Sequence, residues 1–450
     1  MAHRHEVTLQ PSKLTLGPVG TRTGIAGLLV GVIALGAAAL LGLKEGPARV
    51  HFFHSYLFAF SVFLVISFGS LAYVMIHYLA RVGWSVSIRR LAEALSLNMF
   101  LLAILVLPLL AGMHDLFPRW FDEHSRHVDD ALRDKSGYLN PTFFFIRLVA
   151  YFAIWGGLAA FFAGKSKQQD RTGDPKISTL MERVAMPGMW LFAFSLTGFA
   201  FDWIMSLNPY WFSTMFGVYI FAGCMLSMFA TIVLLSLFLK SRGLIGDAIN
   251  HEHYHDLGKW LFAFTFFWGY IAFGQYMLIW YANIPEETQF FVPRQFGVYA
   301  SLSLLLLIVH LVIPFPGLIS RHVKRRNGVI AFWAVWSLCA CIFDLWWMII
   351  PNEWINQIPA AVGHPTMPIS DALPLLANSP TDMYNIGARH AEFIPVMNYP
   401  LQPMSLLVTA LCLLGIGGLY LFSTMLALKG RSLVPLRDPR LPEALAFENM

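Results

Sequence analysis

Ten long runs of mostly apolar residues recur along the 450 residues of this chain, and they leave little choice of architecture. A membrane-spanning helix needs ~20 consecutive apolar residues, and the runs are of about that length. They cover residues 24–42, 52–79, 91–110, 142–163, 185–206, 211–239, 256–282, 297–319, 328–350 and 404–427. Soluble domains are not built from 57% hydrophobic and 13% charged residues. The sequence therefore predicts an all-α polytopic membrane protein with ten transmembrane helices.

The order of the runs suggests how these helices are grouped. Predicted helices two to five and six to nine begin on the same side, so two four-helix bundles related by an axis along the membrane normal are allowed, with two peripheral helices. The first run is rich in glycine and alanine, which predicts close packing on a neighbouring helix. The predicted divisions are an N-terminal segment at 1–23, a membrane domain at 24–427 and a tail at 428–450.

The lysine and arginine residues predict the orientation. One side of the predicted membrane carries 21 of the 31 basic residues and the other carries 8, with two more inside runs. Basic residues concentrate in cytoplasmic loops. We therefore expect both termini in the cytoplasm, and this distribution explains the net charge of +5 without any nucleic-acid partner.

Two outer loops are long. Residues 111–141 mix acidic and basic side chains, which predicts a hydrated cap. Residues 351–403 are rich in proline and also contain apolar stretches. Long irregular loops are usually functional or bind a partner. Docking on another protein is therefore the favoured interpretation of 351–403, and a disordered surface loop is the alternative.

Titratable and polar side chains inside the runs are the candidate functional residues. Such residues are costly in a bilayer and usually face a protein interior or a water path. Asp202 lies in the fifth run, just before the turn at Asn208, and we expect Trp190, Trp203 and Trp211 around it. By depth, the outer candidates are Asp202, Arg147 and Asp344, the central ones are Gln275 and His310, and the inner ones are Lys259, Asp256, His77 and Glu93.

These residues predict a proton path, because they are distributed from the inner face to mid-span and outward again. Arg147 and Asp202 are the favoured ion pair, since pairing is how a charge is held in low dielectric. The alternatives are an ion pair that only fixes helix register and, at the inner face, side chains that extend to the interface. Prolines 314 and 316, after His310, predict a kink in the eighth helix.

Other site classes have weaker support. His251 and His255 can share a helix face, but no fourth ligand completes a metal site of the usual kind. Bis-histidine haem needs pairs at matched depth, and His310 alone is clearly central. The four cysteines predict neither a disulfide framework nor a haem attachment motif. We therefore expect no metal and no cofactor bound by the chain itself, apart from a possible quinone or quinol.

Several long segments resemble one protein family, the NrfD/PsrC-like membrane subunits of bacterial alternative complex III. That complex is a quinol:cytochrome c or electron-acceptor oxidoreductase. The similar segments are GWSVSIRRLAE at 83–93, SGYLNPTFFFIR at 136–147, AFDWIMSLNPYWFSTMFGVYIFAG at 200–223, EHYHDLGKWLFAFTFFWGYIAFGQYMLIWYANIPEET at 252–288, HLVIPFPGLISRHVKR at 310–325 and DPRLPEALAFEN at 438–449. The last of these is more similar to the second, ActF-like subunit of the complex than to its larger paralogue.

The resemblance implies a location and a set of partners. It implies the bacterial cytoplasmic membrane, an NrfD-like paralogue, a periplasmic iron–sulfur subunit and c-type cytochrome subunits, with lipid around them. Haem c and iron–sulfur clusters belong to those partners. In the family the paralogue is credited with quinol oxidation, and the ActF-like subunit with a candidate proton path. The alternatives are a quinol-binding subunit in its own right, a secondary transporter and a pure scaffold.

Overall fold

Ten membrane-length helices form the described part of the chain. The computed structural model describes residues 9–123, 126, 129–246, 248–295, 297–357 and 397–448. The helices are α1 (Ser12–Gly42), α2 (Pro47–Leu79), α3 (Val86–Ala111), α4 (Pro141–Thr172), α5 (Lys176–Leu207), α6 (Phe216–Ser241), α7 (His251–Ala282), α8 (Gly297–Ile319), α9 (Asn327–Ile355) and α10 (Pro403–Leu428). No strand occurs within the described ranges. The predicted all-α membrane class and the ten helices are confirmed.

Helices α2 to α5 pack in a ring, as do α6 to α9, so the two predicted four-helix bundles are present. The bundles meet mainly along α2 and α6. A glycine, Gly69, permits this close crossing, because a Cβ there would collide with the backbone carbonyl of Cys224. Helix α2 is the central element, and its residues between Phe52 and Tyr78 are nearly all buried.

Helices α1 and α10 form a peripheral pair against α2. A Cβ on Gly418 would lie 2.5 Å from the carbonyl oxygen of Gly27, and one on Gly31 would lie 2.8 Å from the nitrogen of Leu419. Small residues let helix backbones approach closely in membranes, as the glycine-rich first run predicts. The structure differs at the start of this helix: α1 begins at Ser12, inside the predicted N-terminal segment.

Replacing Gly31 by leucine should separate α1 from α10. The added side chain has no space at this crossing, and overpacking typically costs ~1–3 kcal/mol. Gly36→Leu is the matched control, because a Cβ at this exposed position of the same helix meets nothing within 4 Å. Thermal unfolding in mild detergent should show a lower midpoint for Gly31→Leu and an unchanged one for Gly36→Leu. Equal midpoints would contradict the close packing.

The first and last described segments of the chain meet at one end of the helices, which we call the terminal face. There the tail runs across the helix ends. Leu433 N donates to the carbonyl of Leu14 at 2.8 Å, and Asn250 Nδ2 donates to the carbonyl of Phe447 at 3.0 Å. The predicted tail at 428–450, as far as 448, is thus packed on the membrane domain and contacts the loop before α7 as well as the start of the chain.

The opposite face is covered by the loop between α3 and α4. Trp120 is fully buried and donates from Nε1 to the carbonyl of Ser206 at 3.2 Å. Lys135 Nζ donates to the carbonyl of Pro209 at 2.6 Å, and burial lowers the pKa of its ammonium. The predicted hydrated cap is therefore in part a packed one. Of the second long loop, 351–403, residues 358–396 lie outside the described residues, together with the docking prediction made for them.

Candidate functional site

The first candidate site is the ion pair of Arg147 on α4 and Asp202 on α5. Arg147 Nε and Nη2 each donate to one carboxylate oxygen of Asp202, both at 2.8 Å. Tyr151 OH donates to Asp202 Oδ2 at 2.9 Å, and Arg147 Nη1 donates to the carbonyl of Tyr138 at 3.0 Å. Bidentate, charge-assisted bonds are the strong ones. The predicted ion pair is therefore formed, and its hydrogen-bonding groups have partners, as expected of a buried structural salt bridge.

Local structure positions both partners. Asn140 caps α4, its side chain accepting from Phe143 N at 2.8 Å, so Arg147 comes two turns into the helix. Asp202 lies in a π-helical turn, Ala200–Ile204, that interrupts α5 near the opposite face. Such turns often occur at functional sites. The expectation that Trp190 surrounds Asp202 is wrong: Trp190 is 67% exposed, because it lies three turns earlier on another side of α5.

The second candidate site surrounds Asp344 on α9. Tyr219 OH of α6 donates to Oδ1 at 2.5 Å, and Trp268 Nε1 of α7 donates to Oδ2 at 3.1 Å. Asp344 is 3% exposed. Both donors are neutral, and no lysine or arginine forms an ion pair with this carboxyl in the described chain. Unlike Asp202, it has no contacting charge to balance a negative one.

His310 lies beside this site. Its ring centroid is 3.6 Å from that of Trp268, and its Nε2 is 3.6 Å from the sulfur of Cys341. Nδ1 is buried and has no hydrogen-bond partner among the described residues. The residue lies in a second π-helical turn, Ile308–Val312, directly before Pro314, where the predicted distortion of α8 is found. His310 and Asp344 therefore share one neighbour, Trp268.

Asp202 and Asp344 occupy equivalent places, each near the end of the fourth helix of its bundle. The surrounding sequences also correspond: Phe201-Asp202-Trp203 in α5 and Phe343-Asp344-Leu345-Trp346 in α9. This short similarity is a signal that sequence reasoning missed. The two bundles differ in what surrounds the carboxyl, a guanidinium in the first and two neutral donors in the second.

Glu93 belongs to a third cluster, near the terminal face. Its carboxylate oxygens lie 3.6 Å from Arg89 Nε and 3.5 Å from Arg90 Nε. Arg89 also contacts Asp438 of the tail, and Arg90 Nη2 donates to Asp170 of α4 at 2.5 Å. The cluster joins α3, α4 and the tail. Its charges are extensively paired, which is the arrangement expected of a structural network.

The remaining inner candidates form no hydrogen bond or ion pair with this cluster in the described chain, although His77 borders the same small cavity as Arg89 and Asp438. His77 Nδ1 is 2.6 Å from the carbonyl of Tyr73 in its own helix, and the two rings lie 3.7 Å apart. Asp256 and Lys259 contact each other on one turn of α7, where the Lys259 side chain is 47% exposed. In the histidine-rich segment, His253 Nδ1 lies 2.7 Å from the Asn250 side chain that caps α7. The described residues contain no group of three His, Cys, Asp or Glu able to hold a metal.

One buried pair was not predicted. His51 Nδ1 of α2 lies 2.9 Å from Glu353 Oε1 near the end of α9, and His51 Nε2 lies 2.9 Å from the carbonyl of Ser405 and 3.1 Å from Thr409 Oγ1. Both ring nitrogens face acceptor oxygens. The pair connects α2, α9 and α10 near the opposite face. Nothing in the sequence pairs His51 with Glu353.

Gln275, predicted to be central, lines a cavity of about 520 Å³ between α6, α7, α8 and α9. The side chains of Tyr219 and Trp268 form part of the same wall, so Asp344 lies one side chain away from this space. The cavity is in the half of the second bundle toward the opposite face. Of the residues in its wall, sequence reasoning singled out Gln275 alone, and it did not find the space.

A buried cation also borders this cavity. Arg294 donates to the carbonyls of Phe290, Trp347 and Met348 at 2.6, 3.2 and 3.0 Å, and it is 1% exposed. No carboxylate pairs with it among the described residues. Burial lowers the pKa of the guanidinium to about 9. The wall thus offers positive potential within aromatic surroundings.

Comparison with protein-family models and with curated proteins finds no match for this chain. The geometry therefore has to carry the functional argument. It places a fully paired carboxylate in the first bundle, a carboxyl with neutral donors in the second bundle, and a cavity that reaches the latter through Tyr219.

Proposed function

We propose that the chain is a membrane subunit of a quinol-oxidising electron-transfer complex of the alternative complex III type, in which it holds and moves protons. Its place would be the bacterial cytoplasmic membrane, with both termini in the cytoplasm, as the basic residues predict. Its partners would be an NrfD-like paralogue, a periplasmic iron–sulfur subunit and c-type cytochromes. The sequence resemblance and the ten-helix, two-bundle fold support this proposal.

The observation that carries the proton role is the environment of Asp344. A carboxyl group buried at membrane depth is costly to charge, and its two contacts, from Tyr219 and Trp268, are neutral. A group so placed can accept a proton and release it again without breaking an ion pair. Tyr219 OH, at 2.5 Å from Asp344, connects it by one hydrogen bond to the cavity.

Asp202 and Glu93 are better suited to fixing helix positions than to transferring protons. Each is hydrogen-bonded or ion-paired with arginine, and protonating the carboxylate of such a pair would leave the buried arginine charge without a partner. We therefore assign the proton-handling role to Asp344, with His310 beside it, and the role of fixing helix positions to the two arginine-bearing clusters.

Purification in mild detergent through a C-terminal tag tests the proposed assembly. We expect c-type cytochromes, visible in the haem spectrum, and an iron–sulfur subunit, identified by mass spectrometry, to accompany the chain. An untagged strain processed identically controls for non-specific binding. A colourless chain that purifies alone from membranes expressing its neighbours would contradict the assembly and would direct attention to transport assays.

A further inference from the structure

An apolar groove follows α7 on the outer surface of the second bundle. It has a volume of about 690 Å³, and α6, α7 and the last part of α8 supply its lining, which is aromatic except for Ala263. Residues three and four positions apart are neighbours on a helix surface, so Trp260, Phe266 and Phe267 surround this alanine on α7. A small residue among large rings leaves a depression in which a hydrocarbon chain can lie.

A lysine lies at the end of this groove nearer the terminal face. Lys259 precedes Ala263 by one turn on the same side of α7, and its side chain is 47% exposed where it contacts Asp256. Side chains of a helix lean toward its N-terminus, and α7 begins at the terminal face. Long basic side chains in such positions extend to the headgroup layer of a membrane. The Lys259 ammonium is therefore placed above the groove at the membrane surface.

A second lysine reaches the same place from the short helix Arg321–Arg325, which follows α8 and packs on α7. The stem of Lys324 covers Gly258, where a Cβ would lie 2.6 Å from Lys324 Cγ. Its Nζ lies 5.5 Å from the ring centroid of Phe262 in the groove lining, and it donates to the carbonyl of Ile319 at 3.1 Å. Among the described residues, no carboxylate forms an ion pair with Lys324. Since an ammonium has three donors, this one can bind a further acceptor.

The two lysines form a site of excess positive charge. Burial lowers the pKa of the Lys324 ammonium, and the nearby charge of Lys259 lowers it further. Arg321 and Arg326, on either side of Lys324 in the same loop, are exposed and add to the positive potential. An anion between the two ammonium groups would offset their repulsion and accept charge-assisted hydrogen bonds from them.

We propose that this surface binds one anionic glycerophospholipid. Its phosphate lies between Lys259 and Lys324, and an acyl chain follows the groove over Ala263 as far as Phe266, a distance of ~10 Å at ~1.5 Å per residue. Basic pockets at the ends of membrane helices are typical sites for anionic headgroups. The inference goes beyond the proposed function, because it holds whichever complex the chain belongs to.

Two other ligands match the surface less well. Inorganic phosphate satisfies the lysines but leaves the apolar groove empty. A zwitterionic lipid fills the groove but brings a cation of its own toward two lysines that already repel each other. The charge of the site and the shape of the groove together therefore favour a lipid with a net negative headgroup.

Native mass spectrometry of the tag-purified protein, washed free of lipid and titrated with dioleoylphosphatidylglycerol, tests the proposal. We expect the chain to retain one molecule at a concentration at which dioleoylphosphatidylcholine is not retained. Inorganic phosphate at the same concentration should not displace it, because free phosphate gains nothing from the groove. Equal retention of the two lipids, or displacement by phosphate, would overturn the site.

Variants of the lysines test the headgroup position. Lys324→Met should weaken the binding of phosphatidylglycerol about fivefold, as expected for one basic contact at a membrane surface. Lys259→Met should have a similar effect at a more exposed position, where the fold depends less on the side chain. Lys429→Met removes an exposed lysine at the terminal-face end of α10 and should leave the affinity unchanged. Equal affinities in all three variants would contradict the proposed headgroup position.

A second pair of variants tests the groove. Ala263→Trp fills the depression and should abolish retention of phosphatidylglycerol, whereas Leu278→Trp, at a 63% exposed position of α7 outside the groove lining, should retain it. Retention by both variants would show that the acyl chains lie elsewhere and would overturn the proposed site.

Discussion

Replacing Arg147 by methionine is expected to cause a large loss of stability. The side chain forms two 2.8 Å bonds with Asp202, which is 1% exposed. The variant leaves that buried carboxylate with neutral hydroxyl groups such as that of Tyr151 and with no balancing charge. Breaking a buried ion pair by removing one partner costs ~3–5 kcal/mol. The variant should unfold at a markedly lower temperature in detergent, or fail to accumulate in the membrane.

Two further variants test whether breaking the ion pair is what causes this loss of stability. The double variant Arg147→Met with Asp202→Leu removes both charges and should regain most of the loss, because apolar replacement of a buried pair is often neutral. Arg133→Met breaks an exposed pair with Asp130 and should change stability by less than ~1 kcal/mol. If Arg147→Met unfolds like Arg133→Met, the bridge does not hold α4 to α5.

Replacing Asp344 by asparagine should abolish proton transfer while the fold persists. Asparagine has nearly the same shape, and its carbonyl can still accept from Tyr219 or Trp268. It cannot take up a proton. A positioned proton-transferring group typically contributes 10²–10⁴-fold to a rate, so proton release coupled to quinol oxidation should fall by ~10²-fold or more. The measurement is acidification by the assembly in vesicles, followed with a pH-sensitive dye.

The longer acid in Asp344→Glu keeps a titratable group and should restore part of the proton release, which a purely structural role would not predict. Asp130→Asn, on the exposed cap, should leave it unchanged. Asp202→Asn and Lys259→Met test the longer proton path, from the inner to the outer face, that the sequence predicts. Full proton release in Asp344→Asn would show that this carboxyl is not part of the path.

Hydropathy was sufficient for the helices, because the bilayer fixes both their length and their apolar character. It also predicted the contact of Arg147 with Asp202, since two opposite charges at similar depth on neighbouring helices have few other partners. Glycine in the first run predicted close packing, because small residues let two helix backbones approach each other in a membrane.

The depth of a residue in the membrane does not say which side of its helix the residue faces. For this reason the sequence could not predict several of the contacts. Tyr219 and Trp268 are neutral, lie on α6 and α7, and are ordinary in apolar runs, so nothing marked them as donors to Asp344. Trp190 is close to Asp202 in sequence but lies on another side of the helix. The cavity depends on the spacing of four helices, which no single run encodes.

The pairing of α1 with α10 sets an order of events during biosynthesis. Helix α1 finds its glycine-lined partner in α10, and translation at ~5–20 residues per second puts tens of seconds between the two. During that interval the backbone-exposing stripe of α1 faces lipid or an insertion factor. Final assembly of the membrane domain must therefore wait for the synthesis of α10.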